Sequence, residues 1–257
     1  MCIVCESEKN NDDHKSLRGL ERIEIVDCDS LISVPVIEGL REIYIDCESL
    51  TTVPVIEGIK ELHLYGCDSL TTVPVIEGLQ ILDIWGCDSL ASVPVIEGLQ
   101  ELSIRLCHLF TSIPAIKELQ KLYIVSCNSI TSIPAVEGLK ELGICYCNSI
   151  TFVPVIEGLQ KLHICHCNSV TSVPVIEGLK NICVSICKWL DISNIQRGSV
   201  LKLQQRMKQK ARLKMFKKYV RSREFCEWFY SPDEFGGQAS KRSIGSFIQK
   251  VVDEQTR

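Results

Sequence analysis

A leucine or isoleucine returns at Leu20, Leu40, Ile59, Leu79, Leu99, Leu119, Leu139, Leu159 and Leu179, at intervals of 20 residues with a single step of 19. The unit it opens reads L-x-x-L-x-I-x-x-C-x-S-L-T-S-V-P-V-I-E-G, and its best-preserved copy is GLQKLHICHCNSVTSVPVIE at 158–177. Nine cysteines keep step with it: Cys28, Cys47, Cys67, Cys87, Cys107, Cys127, Cys147, Cys167 and Cys187. A period this short leaves few choices. Each unit is too small to bury its own apolar groups and must stack on its neighbours.

The spacing within a unit sets the path of the chain. Leu162 and Ile164 flank one outward residue, the period of a strand with one buried face. Val170, Val173 and Ile176 follow three apart with Pro174 among them, which suits a polyproline-like or turn-rich return leg better than a helix. The seven inward groups of each unit stay wet unless the next unit covers them, so the chain reads as a solenoid with a parallel sheet along one side. The ladder cysteine falls where the chain leaves the strand. A small inward thiol there can meet backbone that the turn leaves unpaired. Glycine closes most units and permits a left-handed turn into the next strand, although Glu118 takes that place once.

These residues resemble the leucine-rich repeat family, whose L-x-x-L-x-L-x-x-C/N-x-L signature is matched in nine copies across 17–193. The 20-residue unit with its V-P-x-I leg is most similar to the shortest bacterial class, known from secreted effector ubiquitin ligases. Cysteine in place of asparagine is more like plant and viral variants. The resemblance implies an α/β repeat solenoid of nine coils, with a parallel β-sheet on the concave face and few or no helices on the convex side. Two departures carry expectations of their own. The 19-residue step from Cys28 to Cys47 should pinch the sheet edge around Asp46, and Cys107-His-Leu-Phe-Thr should alter the outgoing turn of the fifth unit.

Fifteen cysteines would suggest a disulfide framework in a short secreted chain. Their number is odd and nine answer to the repeat, so a reduced ladder in a reducing compartment is the simpler reading. Residues 1–15 lack the basic start and apolar core of an export signal, and no apolar run approaches the roughly 18 residues of a membrane helix. The expected setting is intracellular, without membrane insertion. Residues 1–16 form an N-terminal segment, with Ile3, Val4 and Leu17 as the only apolar cap for a first coil that should fray.

The net charge of −4 hides a split. Residues 1–187 carry 12 Lys and Arg against 25 Asp and Glu, a balance of −13, whereas 188–257 carry 16 against 7, a balance of +9. Ten Lys and Arg and no acid lie in 200–223, with Leu203, Met207, Leu213, Phe216 and Val220 at helical intervals. Beyond the breaks at Ser231-Pro232 and Gly236-Gly237, Ile244, Phe247, Ile248 and Val251 mark a second helix. Nine of the sixteen aromatics fall in 188–257, so 194–257 reads as a small packed helical module. Its basic helix suits nucleic acid, acidic lipid or a calmodulin-like partner, but capping the acidic solenoid is the favoured reading because it also explains the charge split. The stretch SREFCEWFYSPDEFGGQASKRS at 222–243 resembles a C-terminal segment of proteins from amoeba-infecting large DNA viruses. That implies a viral origin and a host cytoplasm, and no chemistry.

Signals for catalysis are weak. No phosphate-cradling glycine loop, His-Glu metal motif or serine elbow occurs, and Cys226 has no histidine after His166 to activate it. No enzyme activity and no cofactor are expected. Cys2 and Cys5 form a lone C-x-x-C with only His14 nearby, short of a zinc set. A denser group, Cys145, His163, Cys165 and Cys183 with His166 beside them, occupies outward strand positions of the late coils, where strands about 4.8 Å apart can bring ligands onto one ion. The plainer reading is drift of exposed thiols.

The outward strand positions vary from coil to coil, whereas V-P-V-I-E-G recurs unchanged in six units. Tyr44, Tyr65, Trp85, Arg105 and Tyr123 fall on consecutive coils, with His63 and Asp83 among them. Aromatics and arginine dominate interface energies, at about 2 kcal/mol or more for a central anchor. The expected function is a non-enzymatic scaffold, viral in origin, that binds a host or viral protein on its concave face. The alternatives are the substrate-recognition subunit of a ubiquitin-ligase system, and an interaction protein with a nucleic-acid-binding basic tail. The bland alternative for the rings is that they pack on each other.

Overall fold

The computed structural model describes residues 17–187 apart from 29, 172, 175 and 177, together with Val4 and Leu213. The helical module expected at 194–257, the Cys2–Cys5 pair and Cys226 lie outside the described residues.

Nine short strands form one sheet: β1 (Arg22–Ile25), β2 (Glu42–Asp46), β3 (Glu61–Tyr65), β4 (Ile81–Trp85), β5 (Glu101–Arg105), β6 (Lys121–Val125), β7 (Glu141–Cys145), β8 (Lys161–Cys165) and β9 (Asn181–Ser185). They stand in chain order, each parallel to the next. Every strand is one side of a coil, and the chain between 18 and 187 holds no α-helix among the described residues. The described coils form a parallel β-solenoid with a unit of about 20 residues. No helix among the described residues is long and apolar enough to cross a membrane.

The stacking follows from the repeat. Leu82 pairs with Leu102 and Ile84 with Ile104, so the two inward strand residues of each coil lie on those of the next. Val73 and Ile76 on the return leg, and Leu70 after the turn, are equally buried. All these groups join one continuous core. Each such side chain contributes about 1.5–3 kcal/mol by leaving water, and most of that burial is made against a neighbouring coil. At the first coil Leu17 and Val4 are both fully buried, so the end that the sequence left thinly covered is closed by these two residues.

The turn out of the strand has a fixed form. Asp27, Gly66, Gly86, Leu106, Ser126, Tyr146, His166 and Ile186, each just before a ladder cysteine, hold φ between 51° and 66°. The amides of the six from Gly66 to His166 still donate across the sheet, as from Ser126 N to the Cys145 carbonyl at 2.8 Å. The cysteine then turns inward, and its thiol adds a further hydrogen bond to strand-end carbonyls such as Val125 O, which already accepts from Leu106 N across the sheet. Cys127 reaches Val125 O at 3.3 Å and Ile104 O at 3.6 Å, and Cys167 reaches Cys165 O at 3.2 Å and Ile144 O at 3.5 Å. Burial pushes the Cys107 and Cys147 thiols up to about 12, so they stay protonated as donors. The described cysteines from Cys47 to Cys187 are free thiols.

One local expectation is narrowed and one is corrected. The 19-residue step leaves β2 and β3 in unbroken register through Asp46 and Tyr65, while the pairing of β1 with β2 ends one residue early, at Ile25 and Ile45. The missing residue is the left-handed one, so Asp46 leads straight into Cys47 and the shortening is absorbed in the turn. There the Cys47 thiol donates to the Cys28 carbonyl and to Leu31 O, the latter at 3.4 Å. The fifth unit keeps the common turn as well. Phe110 N donates to Cys107 O at 3.4 Å, as Leu90 N does to Cys87 O at 3.2 Å, and the Phe110 ring fills the inward leucine position without exposure. Glycines closing the other coils hold φ of 77–87°, whereas Glu118 is not left-handed and its coil still makes the usual Leu119 N to Ile116 O bond at 3.3 Å.

Candidate functional site

Because strand side chains alternate, residues two apart on one strand and level on neighbouring strands form a grid on the outer side of the sheet. Coils 2 to 5 fill this grid with rings and charges. Tyr44 is level with His63, yet its ring stacks on Tyr65, with centroids 4.5 Å apart and planes at 18°, since the residue level with Tyr65 on β2 is the short Asp46. Tyr65 meets Trp85 edge-on at 5.6 Å, and His63 lies beside both tyrosines at 6.2 and 6.4 Å. The rings do pack on one another, as the bland alternative held, and Trp85 is still 45% exposed.

Asp83 is the polar centre of the patch. The Tyr65 hydroxyl donates to its Oδ2 at 2.7 Å, His63 Nδ1 faces the same oxygen at 4.0 Å, and Arg105 Nη2 stands 3.9 Å from Oδ1. Oδ1 is enclosed and has no hydrogen-bond partner. Burial alone would raise the Asp83 carboxyl, but the polar groups of His63, Tyr65 and Ser103 and the charge of Arg105 outweigh it and bring the pKa down to about 2. The Asp83 carboxylate in turn raises His63 against the opposing effect of its own burial. Arg105 is held from below by Ser103, whose Oγ accepts from Nε at 3.0 Å. Glu42, Glu61 and His63 also bring ligand atoms within 4.8 Å of one another, but Glu42 already pairs with Arg22 at 3.0 Å and His63 is shared with Asp83.

Tyr123 does not continue this row. Its ring lies over Gly143, where a Cβ would come within 2.8 Å of Tyr123 Cδ1, and its hydroxyl donates to Glu141 Oε2 at 3.0 Å. It leans away from Arg105 and walls a cleft of about 230 Å³ with Glu141, Lys161, His163, Asn181 and Cys183. The thiol group divides similarly. The ligand atoms of Cys145, His163 and Cys165 all lie within 4.8 Å of one another, while Cys183 stands outside that set. Burial, then a thiol–thiol contact with Cys165, pushes Cys145 up to about 12.

Three features were not anticipated from the repeat. The enclosed Asp83 carboxylate, the buried Ser103 and the Tyr146–His166 stack, at 4.3 Å and 8°, come from contacts between coils. A signal for the stack existed, since both rings occupy the residue before a ladder cysteine, which turns outward. Comparison with family models, with curated proteins and with solved structures yields no match for this chain.

Proposed function

We propose that the protein is a non-enzymatic interaction scaffold of the leucine-rich-repeat type, viral in origin, which receives a protein partner on its concave strand face over coils 2 to 5. Tyr44, His63, Tyr65, Asp83, Trp85 and Arg105 make the contact, and Tyr123 lies at its margin. The observation that carries this reading is a contiguous ring cluster, open at Trp85, around an enclosed carboxylate oxygen without a hydrogen-bond donor. The four strands span about 14 Å at roughly 4.8 Å per step, room for one helix or strand of a partner. Glu42, Asp46, Glu61 and Asp83 outnumber Arg105 and the half-buried His63 on this face, so the partner segment presents an apolar residue to Trp85 with a basic residue beside it.

A crosslinking pull-down with the intact chain from amoebal cells identifies the partner. Trp85→Ala with Tyr65→Ala should then abolish its capture while the far-ultraviolet circular dichroism is unchanged, and Val75→Thr on the return leg should leave capture intact. Undiminished capture by the double variant moves the binding site to another surface. Ligase subunits among the crosslinked proteins would select the ubiquitin-ligase role for the same face.

A further inference from the structure

We propose that Cys145, His163 and Cys165 form a zinc site on coils 7 and 8, separate from the aromatic patch and open at its fourth coordination position. The sheet supplies the geometry. Cys145 and Cys165 are register partners on β7 and β8, and His163 precedes Cys165 by two residues on the same face of the strand. Donors on a tetrahedral zinc stand roughly 3.5–3.8 Å apart, given Zn–S of about 2.3 Å and Zn–N of about 2.0 Å. Three ligand atoms already within 4.8 Å of one another close on an ion by side-chain rotation, with the strands beneath unmoved. Two thiolates and an imidazole prefer zinc to magnesium or calcium, whose ligands are oxygens. Zinc displaces the two thiol protons to solvent, so no electron transfer is involved.

The equivalents of Cys145 and Cys165 in the six earlier coils are Val26, Asp46, Tyr65, Trp85, Arg105 and Val125, none of them a thiol. Thiols enter these positions on two successive coils, together with a histidine at ligand distance. The cleft lined by Tyr123, Glu141, His163 and Cys183 adjoins the histidine and leaves room for water or a partner side chain on the metal. Cys183 is the register neighbour of His163 but lies outside the close set, which is why the fourth position is assigned as open.

The test is cobalt titration of the full-length reduced protein carrying Cys2→Ser and Cys5→Ser, so that the terminal C-x-x-C cannot contribute. The expected result is one equivalent of cobalt with thiolate charge-transfer absorption and the strong visible bands of a tetrahedral site, displaced by zinc. Cys145→Ser with Cys165→Ser should abolish the signal, and His163→Ala, at an exposed position, should weaken cobalt affinity about tenfold or more with unchanged circular dichroism. Cys183→Ser should leave the spectrum unchanged. Absence of the bands, or full binding by the His163 variant, overturns the site. Loss of the bands in Cys183→Ser overturns the open position and makes it a closed four-ligand centre.

Discussion

The return leg and the outer strand face are both surface, and they have been treated in opposite ways. On the return leg the same valine stands outward in coil after coil, with Val36, Val55, Val75, Val95 and Val155 each 53–61% exposed. Nothing buries these side chains, yet the unit has kept them. On the strand face the middle and last outward positions change at nearly every coil and include rings, an enclosed carboxylate, an arginine and thiols. Exposure by itself therefore does not account for the variation. The copied leg shows what the unit looks like when a surface is left as duplicated, and the strand face shows departure from it.

The contrast sharpens when a copied interior is set against its surface. Phe110→Ala empties a fully buried inward position of the stack, and it should lower unfolding free energy by about 3–5 kcal/mol in a denaturant titration. Its neighbour Leu109, 58% exposed, should tolerate alanine within about 0.5 kcal/mol. Equal effects would mean that the fifth coil is not packed as its neighbours are.

A smaller effect should come from the centre of the divergent face. The folded Asp83 pKa of about 2 lies below its ordinary 3.8, so its contribution to stability is complete above about pH 4 and is lost as pH falls through about 2. The size is on the order of 2 kcal/mol. Asp83→Asn should remove that acid-side slope, measured as the difference between the two proteins' stability curves from pH 5 to pH 2. His63 acts in the other window. Its raised pKa gives stability that is present below its ordinary 6.5 and lost as pH rises through the folded value. An unchanged acid limb in the Asp83 variant would separate the patch from the stability of the coil.

The smallest effect tests the turn shared by both regions. Leu106 holds φ at 54° and is 40% exposed, a conformation that a residue with a Cβ adopts at a cost of roughly 1 kcal/mol. Leu106→Gly should therefore raise the thermal midpoint, corresponding to a gain of up to about 1 kcal/mol. A fall would show that the side chain packs in a way its exposure conceals.

Much of the architecture was legible because the repeat carries the information nine times over. Alternation at Leu162 and Ile164, the three-residue steps of Val170, Val173 and Ile176, and the inward ladder cysteines all took the places their spacing implied. The two departures were overestimated for one reason. A missing residue at Asp46 and a foreign Phe110 look like local damage in one unit, but a stacked coil is held by the units on either side, and these restore its register and its turn.

The sequence by itself determined the period, the strand and return-leg faces, and which residues face out, since these follow from side-chain alternation and from the need to bury the same groups in every unit. Only the tertiary structure decided which outward residues act together. It stacked Tyr44 on Tyr65 across a register gap, enclosed Asp83 among His63, Tyr65, Ser103 and Arg105, turned Tyr123 over Gly143 toward the late coils, and set Cys183 apart from the other thiols. The physical reason is that the strand ladder fixes where each side chain is rooted, while the direction taken by a long side chain depends on which neighbour is short enough to yield space.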